Sequence, residues 1–592
     1  MENPSVLITE ALGRALVASG LMPEGGVPDF NVTHPKDETH GDYATNLALL
    51  LAKKLGMNPR EVAEKLITSL QNDTDLSSLI DTTKINVAGA GFINFMLKTE
   101  YLLAHAKLAK DADYGRSNRL AGQKIMVEYT DPNPFKEMHI GHLMSNTIGE
   151  SIARLIEMTG AEVKRACYQG DVGLHVAKSV WGMQQKLQVE SIKLQEIANW
   201  DLNKRQKFMG EAYAYGATKY EEDPTSPEAS LGARAEMITL NKQIYDRSDK
   251  ATNALYDVGR AWSLEYFETI YARLGTKFDQ YFFESEAGPI GLKVVEEGLT
   301  MGILEIGEGG AVVYRGEKEG LHTRVFRNKL GLATYEGKEL GLAKTKYERY
   351  QYDKSYIVTA NEITEYFKIL ISVMKQLYPE LGNKTVHVPH GVMKLTTGKM
   401  SSRTGKVVTG EGLLNELRDV VLAKMGDRGV KNKNEVADNV AVAALKYTVL
   451  RQQVGGDIVY EPDKMTNLEG ATGPFVQYSY ARAMSVLRKC APIANKQMYT
   501  NVSQNLVEQE LGLLRWLYRY PEVIEEASRA LAPHMVVTYV TELAARFNTF
   551  YQACRVEEDG VVNPLRYTLT EAVANVLKSG LSTLGIVAPE EM

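Results

Sequence analysis

The stretch from Lys124 to Gly160 constrains the fold more than any other part of the sequence. A short β-rich run, KIMVEYT, leads into the loop DPNPFKE. The next run, MHIGHLMSNTIGESIARLIEMTG, has apolar residues at helical spacing and ends at a glycine, and AEVKRACYQGD follows as a candidate strand. The order strand, loop, helix, strand is typical of the first βαβ unit of a doubly wound parallel sheet. We therefore predict a Rossmann-like α/β domain.

Two further regions flank this unit. With 592 residues the chain is long enough for several domains of about 150 residues each. Residues 1–115 predict an N-terminal α+β domain, with a helix near 4–19, helices in NLALLLAKKLG and PREVAEKLITSL, and strands in KINVAGAGFINFML. Residues 116–435 predict the α/β domain, with an insertion at about 185–325. Residues 436–592 are almost wholly helical in pattern and predict a C-terminal all-α bundle.

Composition excludes several classes of protein. The net charge of −6 is not that of a general nucleic-acid binder, although it leaves room for a local basic surface. The three cysteines are far apart and form no CxxC motif, which argues against a disulfide scaffold and a thiolate zinc site. The N-terminus lacks the pattern of a signal peptide, and no apolar run is long enough to span a bilayer. We expect a cytoplasmic protein that does not associate with a membrane.

Two histidines stand at the start of the predicted helix. His139 and His142 are three residues apart, so both side chains project from one face. The unpaired N–H groups and the dipole of a helix N-terminus favour an anion such as phosphate, and Gly141 lets a nucleotide approach the backbone. Taken alone, the pair is equally typical of surface residues or metal ligands.

A basic loop lies about 260 residues further along. The string GKMSSRTGK offers Lys399, Arg403 and Lys406 for phosphate charge, together with two serine hydroxyls and flanking glycines. Such a loop alone is commonly a solvated turn. The sequence has no GxxxxGK[ST] string, so a P-loop does not explain it.

Together, in this order, the two strings resemble the HIGH and KMSKS signatures of class I aminoacyl-tRNA synthetases. VEYTDPNPFKEMHIGHLMSNTIGES and HGVMKLTTGKMSSRTG are similar to the extended signatures of the arginyl-tRNA synthetase family. Ser402 occupies the place of the usual signature lysine, and the basic residue falls at Arg403. The resemblance covers nearly the whole chain.

The resemblance implies a reaction and its nucleotide site. It implies ligation of L-arginine to tRNA(Arg) through arginyl-adenylate, with Mg²⁺ entering as the ATP complex, no tightly bound metal site, and tRNA required for activation. The catalytic residues that it implies are His139, His142, Lys399 and Arg403. The ATP-binding residues that it implies are Lys136, His139, Gly141, His142, Lys399, Met400, Ser401 and Ser402.

The amino acid site is implied in the same way. A guanidinium, a planar fork of five donors, pairs best with carboxylates and stacks on aromatic rings. Glu339 stands where the family usually has aspartate, and Gly170-Asp171 matches a family GD motif after its strand. The arginine-binding residues implied by the resemblance are Glu128, Asn133, His139, Tyr335, Glu339, Asn361 and Glu362.

The outer regions also resemble family domains. HGDYATNLA at 40–48 is similar to the N-terminal additional domain that contacts the tRNA elbow. GPFVQYSYAR and ELAARFNTFYQACRV are similar to the helical anticodon-binding domain. We expect most of the aromatic residues in these helices to be core: Tyr478, Tyr480, Phe547, Phe550 and Tyr551.

Two alternatives stay open at this point. One is a class I synthetase for another amino acid such as lysine, although the acidic residues and Tyr335 argue against a small apolar substrate. The other is a catalytically silent paralogue that binds tRNA or a protein.

The resemblance implies a monomer.

Overall fold

The computed structural model describes residues 3–223, 232–395, 409–426, 429, 432–494 and 506–592. The β-strands, in chain order, are β1 (Val32–Thr33), β2 (Tyr43–Thr45), β3 (Asn86–Ala88), β4 (Phe92–Phe95), β5 (Lys124–Glu128), β6 (Glu162–Gln169), β7 (Gln280–Phe283), β8 (Glu305–Ile306), β9 (Val312–Tyr314), β10 (Arg324–Arg327), β11 (Lys354–Ala360), β12 (Thr385–His390), β13 (Met393–Leu395), β14 (Ile458–Tyr460), β15 (Glu557–Glu558) and β16 (Val561–Val562).

The α-helices are numbered in the same way. They are α1 (Pro4–Ala18), α2 (Leu47–Leu55), α3 (Pro59–Leu70), α4 (Thr99–Leu108), α5 (Ile140–Met158), α6 (Leu174–Val189), α7 (Leu194–Ala198), α8 (Leu202–Glu222), α9 (Ala233–Asp246), α10 (Lys250–Arg273), α11 (Glu284–Thr300), α12 (Tyr335–Arg349), α13 (Thr364–Leu377), α14 (Pro379–Lys384), α15 (Gly410–Met425), α16 (Lys433–Arg451), α17 (Pro462–Met465), α18 (Gly473–Ala494), α19 (Glu508–Leu517), α20 (Tyr520–Ala530), α21 (Pro533–Ala553) and α22 (Pro564–Thr583).

The chain divides into two compact units. The first consists of residues 1–115, 483–522 and 545–576, and the second of residues 116–482, 523–544 and 577–592. The three-domain division predicted from the sequence, with borders near 115 and 435, stays a prediction. Among the helices of the described ranges, none is both long and apolar enough to cross a membrane.

The first unit is built on a four-stranded antiparallel sheet in the order β1-β2-β4-β3. Helix α3 begins at Pro59, as predicted, because proline suits the first helical position and the Asn58 side chain accepts the N–H of Arg60 at 2.9 Å. The strands predicted in KINVAGAGFINFML are β3 and β4, joined by a turn with positive φ at Gly89 and Gly91.

The HGDYATNLA segment contributes to the interior of this unit. Asp42 and Tyr43 are buried, with Asp42 3.2 Å from the Arg515 guanidinium and accepting the N–H of Leu97 at 2.9 Å. Glu522 accepts hydrogen bonds from both Tyr43 and His34, so β2 is tied to the C-terminal part of the same unit. The predicted role of residues 40–48 in tRNA contact therefore rests on the resemblance, because these buried side chains hold the unit together.

The second unit contains the predicted parallel sheet. Its five strands run in the order β12-β11-β5-β6-β7, and every neighbouring pair is parallel. Chain order reverses between β11 and β5, which places the switch point of the sheet beside the end of β5. Several buried side chains of the strands and of α11, α12 and α13 form the core on one face: Met126, Ala166, Phe282, Ile357, Val294, Leu340 and Leu370.

Strand β7 was not foreseen. It lies inside the segment predicted as an insertion at about 185–325, yet its residues pair with β6 from Ala166–Gln280 to Gln169–Phe283. The segment is therefore not wholly inserted, because its strand is an edge of the central sheet. Sequence reasoning missed it because QYFF is only four residues long and runs directly into α11, with no glycine or proline to mark it.

Other elements follow the prediction. Helices α7–α10 fill the first part of the insertion, and the run GILEIGEGGAVVYRG forms the antiparallel pair β8–β9, which β10 extends. Tyr480, Phe547 and Phe550 are buried, as expected for most of the C-terminal aromatic residues. Tyr478 and Tyr551 are exposed.

Candidate active site

The site lies at the carboxyl ends of the parallel strands. Glu128 ends β5, Glu284 follows β7 and Asn361 follows β11, so these residues share one edge of the sheet. The loop after β5 has positive φ at three non-glycine residues, Thr130 (81°), Asp131 (46°) and Phe135 (68°). Such backbone is strained and persists only where its surroundings hold it.

Packing and hydrogen bonds hold this loop. Ser145 accepts the N–H of Thr130 at 3.0 Å, and Ser263 accepts the N–H of Phe135 at 2.9 Å. The Phe135 ring lies so close to Gly259 that a Cβ there would be 2.2 Å from it. The loop therefore delivers the next residues, which start α5, in one defined position.

His139 and His142 together close the first turn of α5. His139 is the N-cap, and its Nδ1 accepts the N–H of Gly141 at 3.1 Å. His142 Nδ1 accepts the N–H of His139 at 3.0 Å, and the two rings stack with centroids 3.7 Å apart. A Cβ on Gly141 would be 2.9 Å from the His139 ring, so glycine is needed for this folded-back arrangement.

These hydrogen bonds determine the tautomers. A ring nitrogen that accepts an N–H carries no proton, so in each neutral imidazole the proton is on Nε2. Burial, the other imidazole and Lys136 hold the pKa of His142 well below its usual range. Removal of the His139 ring from water and the nearby charge of Lys136 also lower the pKa of His139. At neutral pH the pair presents two Nε2–H donors at a helix N-terminus, where an anion is favoured.

Lys136 brings a positive charge to the same place. It lowers the pKa not only of His139 and His142 but also of His175, whose pKa falls to about 4, mainly through burial. The His175 Nε2 lies 2.9 Å from the carbonyl of Gly170, and the Lys136 ammonium lies 4.9 Å from the centre of the Tyr213 ring. The structure thus brings together four of the predicted ATP-binding residues: Lys136, His139, Gly141 and His142.

The basic loop, residues 398–406, lies outside the described residues, and only the chain on either side of it is described. Strand β13 ends at Leu395, and Thr409 forms a β-bridge with His139. The N–H of Gly410 donates to the carbonyl of Met138 at 2.7 Å. Thr409 and Gly410 therefore lie directly beside the histidine pair. Several predicted residues lie outside the described residues: Lys399, Met400, Ser401, Ser402 and Arg403.

A cluster of acidic side chains, here called the acidic pocket, lies at the same edge of the sheet. Glu128 is buried and pairs with the buried Lys346 at 2.7 Å. Glu284 is also buried and pairs with Lys338 at 2.6 Å. Two of the carboxylates at this edge are thus neutralised by lysines of one helix, α12.

Two more carboxylates have no such partner. Burial and the nearby Glu128 raise the pKa of Asp131 and of Glu339 well above the usual range. Among the residues that the structure describes, neither has a cation within ion-pair distance, and Asp131 accepts only a backbone N–H, that of Tyr168 at 2.8 Å. Burial and Glu339 also raise the pKa values of the Tyr168 and Tyr366 phenols. The pocket therefore favours a cationic ligand at Glu339.

Asn133 is held at the mouth of this pocket. A Cβ on Gly170 would lie 2.2 Å from Oδ1 of Asn133 and 3.3 Å from Oε1 of Glu284. Only glycine at the end of β6 lets the Asn133 amide approach the sheet edge so closely. Asp171, the second residue of the GD motif, is fully buried and receives hydrogen bonds from Tyr256, Arg260 and Ser285. Its carboxylate joins α10 and α11 to the sheet.

The remaining predicted residues lie at the rim. Tyr335 begins α12, is 65% exposed, and has the Lys338 ammonium 5.4 Å from its ring centre. Asn361 and Glu362 form an exposed 3-10 turn after β11. The structure places them at the same edge of the sheet as Glu128 but does not bring them into the buried acidic cluster.

Sequence reasoning missed several residues of the site. Lys338 and Lys346 could have been noticed because they lie eight residues apart, and so on one side of the same helix as Glu339. Glu284 was hidden because β7 was not recognised. The residues added by the structure are Asp131, Tyr168, His175, Glu284, Lys338, Lys346 and Tyr366. Within the described ranges, no cluster of three or more His, Cys, Asp or Glu side chains could hold a metal ion.

Family models match most of the chain. A model described as "tRNA synthetases class I (R), catalytic domain" matches residues 104–461. A model of the "Arginyl tRNA synthetase N terminal domain" matches residues 6–97, and one of the "DALR anticodon binding domain" matches residues 476–592.

Curated relatives and solved structures agree with these matches. The chain is 30% identical to the arginine–tRNA ligase of Fusobacterium nucleatum over 575 residues, which cover 96% of each protein. It is 31% identical to the enzyme of that name from Crocosphaera subtropica, over 95% of each. The arginyl-tRNA synthetase structure from Thermus thermophilus has the same fold, with a TM-score of 0.75 at 22% identity over 99% of this chain and 100% of that one. The Plasmodium falciparum structure gives 0.76 at 19% identity over 100% of both chains.

Proposed function

The chain belongs to the arginyl-tRNA synthetase family of class I tRNA synthetases and joins L-arginine to tRNA(Arg) with ATP, and we propose how its residues divide that work. Arginine and ATP first form arginyl-adenylate and pyrophosphate. The arginyl group then passes to the ribose of the terminal adenosine. The tRNA is required for the first step as well as the second.

The observation that carries this assignment is an acidic pocket next to a pair of neutral histidines. Glu339 and Asp131 are carboxyl groups that no described lysine or arginine neutralises, and because their pKa values are raised, each would gain from a cationic partner. A guanidinium fits this site because it stays charged and presents donors in a plane. His139 and His142 supply uncharged donors for an anion a short distance along the same loop.

Neither step needs a protein nucleophile. The carboxylate of arginine attacks the α-phosphorus of ATP in line, so catalysis consists of positioning and of stabilising charge in the transition state. The Nε2–H groups of His139 and His142 donate to the phosphate oxygens. Lys136 adds a full positive charge, and Gly141 leaves room for the nucleotide against the first turn of α5.

The basic loop completes the nucleotide site. Lys399 and Arg403 neutralise the developing charge on the phosphates, and Met400, Ser401 and Ser402 contact the nucleotide. The β-bridge from Thr409 to His139 supports this role, because it anchors the end of the loop beside the histidines. Closure of a loop over the nucleotide would assemble the site only when substrates are bound.

The arginine site uses both the pocket and its rim. Glu339 pairs with the guanidinium, and Tyr335 covers it from the exposed side. Asn133 and His139 orient the α-amino and carboxylate groups, and Glu128, paired with Lys346, borders the guanidinium site. Asn361 and Glu362 contribute polar contacts from the turn after β11.

Several properties follow for the enzyme as a whole. Mg²⁺ enters with ATP as part of the substrate and leaves with pyrophosphate. The enzyme works as a monomer in the cytoplasm, where charged tRNA is used. The segment at 40–48 lies in the region that contacts the tRNA elbow, and the C-terminal helices read the anticodon stem and loop.

Arginine-dependent exchange of pyrophosphate into ATP tests the proposal. We expect exchange with arginine only when tRNA(Arg) is added, and none with lysine or citrulline. Exchange at full rate without tRNA would refute the tRNA requirement, and exchange with lysine would assign the enzyme to another amino acid. Retained tRNA binding with no exchange under any condition would identify a silent paralogue.

A further inference from the structure

Two basic side chains join two helix ends behind the histidine helix. Arg154 lies on α5 and donates from Nη1 to the carbonyl of Ser582 and from Nη2 to that of Gly275, each at 2.9 Å. Lys446 lies on α16, is fully buried, and donates to the carbonyls of Leu274 at 2.5 Å and Gly585 at 2.7 Å. Each basic side chain therefore bonds both the end of α10 and the end of α22.

Electrostatics favours this arrangement. The last carbonyls of a helix have no partner within the helix and carry the negative end of its dipole. Basic groups placed there satisfy the carbonyls and, in their charged form, neutralise both dipoles at once. Burial lowers the pKa of Lys446 to about 7, whereas the Arg154 guanidinium stays charged and also pairs through Nε with the buried Glu150 at 2.6 Å. Ser151 of α5 adds a weaker hydrogen bond to the carbonyl of Thr583 at 3.3 Å.

The segment after α22 is fitted closely to these side chains. Gly585 has φ of +67°, and a Cβ there would lie 2.8 Å from Nζ of Lys446 and 3.6 Å from Glu150. Beyond it, the buried Gln477 donates to the carbonyl of Val587 at 2.7 Å. The end of the DALR-like region, from Ser582 to Val587, is thus hydrogen-bonded through its backbone carbonyls to side chains of α5, α16 and α18.

The bonds of Arg154 and Lys446 to the ends of α10 and α22 form a joint between these helices. Helix α5 carries this joint near its C-terminal end and the catalytic histidines at its N-terminal end. His139 and Arg154 are fifteen residues apart, or about 22 Å along a helix that rises 1.5 Å per residue. A shift in the position of α5 at Arg154 therefore also moves the Nε2–H donors of the two histidines at the N-terminus of the helix. A displacement of about 1 Å at a reacting group can lower a rate by about two orders of magnitude.

We propose that Arg154 and Lys446 are positioning residues for arginine activation, which set α5 and its histidines according to the seating of the C-terminal end of the chain. This inference rests on the proposed function and adds a route by which a tRNA-dependent first step reaches the histidines. The two basic side chains act through α5 and do not touch the substrates.

The test compares Arg154→Met and Lys446→Met in the full-length enzyme. Both substitutions remove the hydrogen bonds to the two helix ends while keeping much of the side-chain volume. We expect each to lower kcat of tRNA-dependent pyrophosphate exchange by about tenfold or more. The KM for arginine and the Kd for tRNA should stay within about threefold of wild type. Because the two side chains share one joint, the double variant should lose less than the product of the two single losses.

Arg119→Met is the matched control. Arg119 pairs with Glu525 at 2.7 Å and donates to Ser528, so it also joins the catalytic region to a C-terminal helix. These bonds do not reach the end of α22, and they are linked to α5 through the Ser528 hydroxyl, which lies 3.2 Å from that of Thr159 just after the helix. We expect it to lower Tm with no change in kcat. Arg154→Lys should recover part of the kcat lost in Arg154→Met, since a lysine can reach one of the carbonyls.

The results of these measurements distinguish failure of the positioning inference from failure of the proposed function. If Arg154→Met and Lys446→Met lower Tm but keep wild-type kcat, the joint is only structural and the inference is wrong. The inference is also wrong if the loss appears as a weaker Kd for tRNA. If the wild-type enzyme itself shows no arginine-dependent exchange, the proposed function fails instead.

Discussion

The Nδ1 atom of His142 accepts the backbone N–H of His139 at 3.0 Å, while the two rings stack with their centroids 3.7 Å apart. One side chain therefore closes the first turn of α5 and also fixes its own Nε2–H as a donor. A catalytic group that caps its own helix links the stability of that helix end to activity. The first prediction separates these two effects.

His142→Ala should lower kcat of arginine activation by roughly two to three orders of magnitude, because a preorganised donor to the transition state is lost. It should also destabilise the first turn by about 1 kcal/mol, because the cap is lost. Pyrophosphate exchange and thermal unfolding measure the two effects. His142→Asn, which retains an acceptor for the cap, should keep Tm but not kcat. A loss of tenfold or less in His142→Ala would mean that His142 is mainly a cap.

Glu339→Gln should raise the KM for arginine by about tenfold or more and leave the KM for ATP unchanged. The reason is that a partly buried guanidinium loses its counter-charge. Glu336→Gln is the control, since Glu336 lies on the same helix but pairs with Arg324 at 3.6 Å. Steady-state exchange kinetics provide both constants. An unchanged KM for arginine in Glu339→Gln would remove Glu339 from the arginine site.

The affinity for arginine should rise with pH. Burial and neighbouring carboxylates raise the pKa values of Glu339 and Asp131, so at low pH these groups are protonated and offer no charge to the ligand. As pH rises through the raised pKa values, the carboxyls lose their protons and arginine binds more tightly, while the guanidinium stays charged throughout. Calorimetry with tRNA present should show this rise above the pH range in which an ordinary glutamate, with a pKa near 4.3, has already lost its proton. Glu339→Gln should flatten the curve, and an affinity that falls as pH rises would contradict the assignment.

Gly170→Ala should disturb arginine binding mainly through Asn133. The new Cβ would lie 2.2 Å from Oδ1 of Asn133, so the amide must move away from the sheet edge. We expect a rise of roughly tenfold in the KM for arginine, since one specific contact is worth about 1.4 kcal/mol. Gly288→Ala is the control, because a Cβ there has nothing within 4 Å. Equal kinetics for the two variants would show that Asn133 does not depend on this glycine.

The sequence predicted those parts of the fold that follow from local pattern. Pro59 begins α3, and the run after Asp131 begins α5 beside His139, because capping and helical periodicity are properties of neighbouring residues. Strand β7 was missed because four residues give no periodicity, and with it the position of Glu284 was lost. Tertiary pairing with β6 defines that strand.

In the site, too, features set by neighbouring residues could be predicted and features set by the fold could not. The histidine pair could be predicted because its chemistry depends on a spacing of three residues on one helix. The pairing of Glu128 with Lys346 could not, since the two residues are 218 positions apart and only the fold brings them together. The sequence placed Asp171 in a motif at the ligand edge of the sheet, but it did not indicate that its carboxylate holds α10 and α11 in place. The roles of Lys399 and Arg403 stay predictions.

The lysines of α12 also decide which cations the pocket can accept. Glu128 and Glu284 are already paired with the compact ammonium groups of Lys346 and Lys338, at 2.7 and 2.6 Å. A free lysine would have to displace side chains that are tethered to the backbone and are therefore always present at high local concentration. Lys338 and Lys346 thus compete with a free lysine for these two carboxylates, and the unpaired carboxyls are left for a guanidinium.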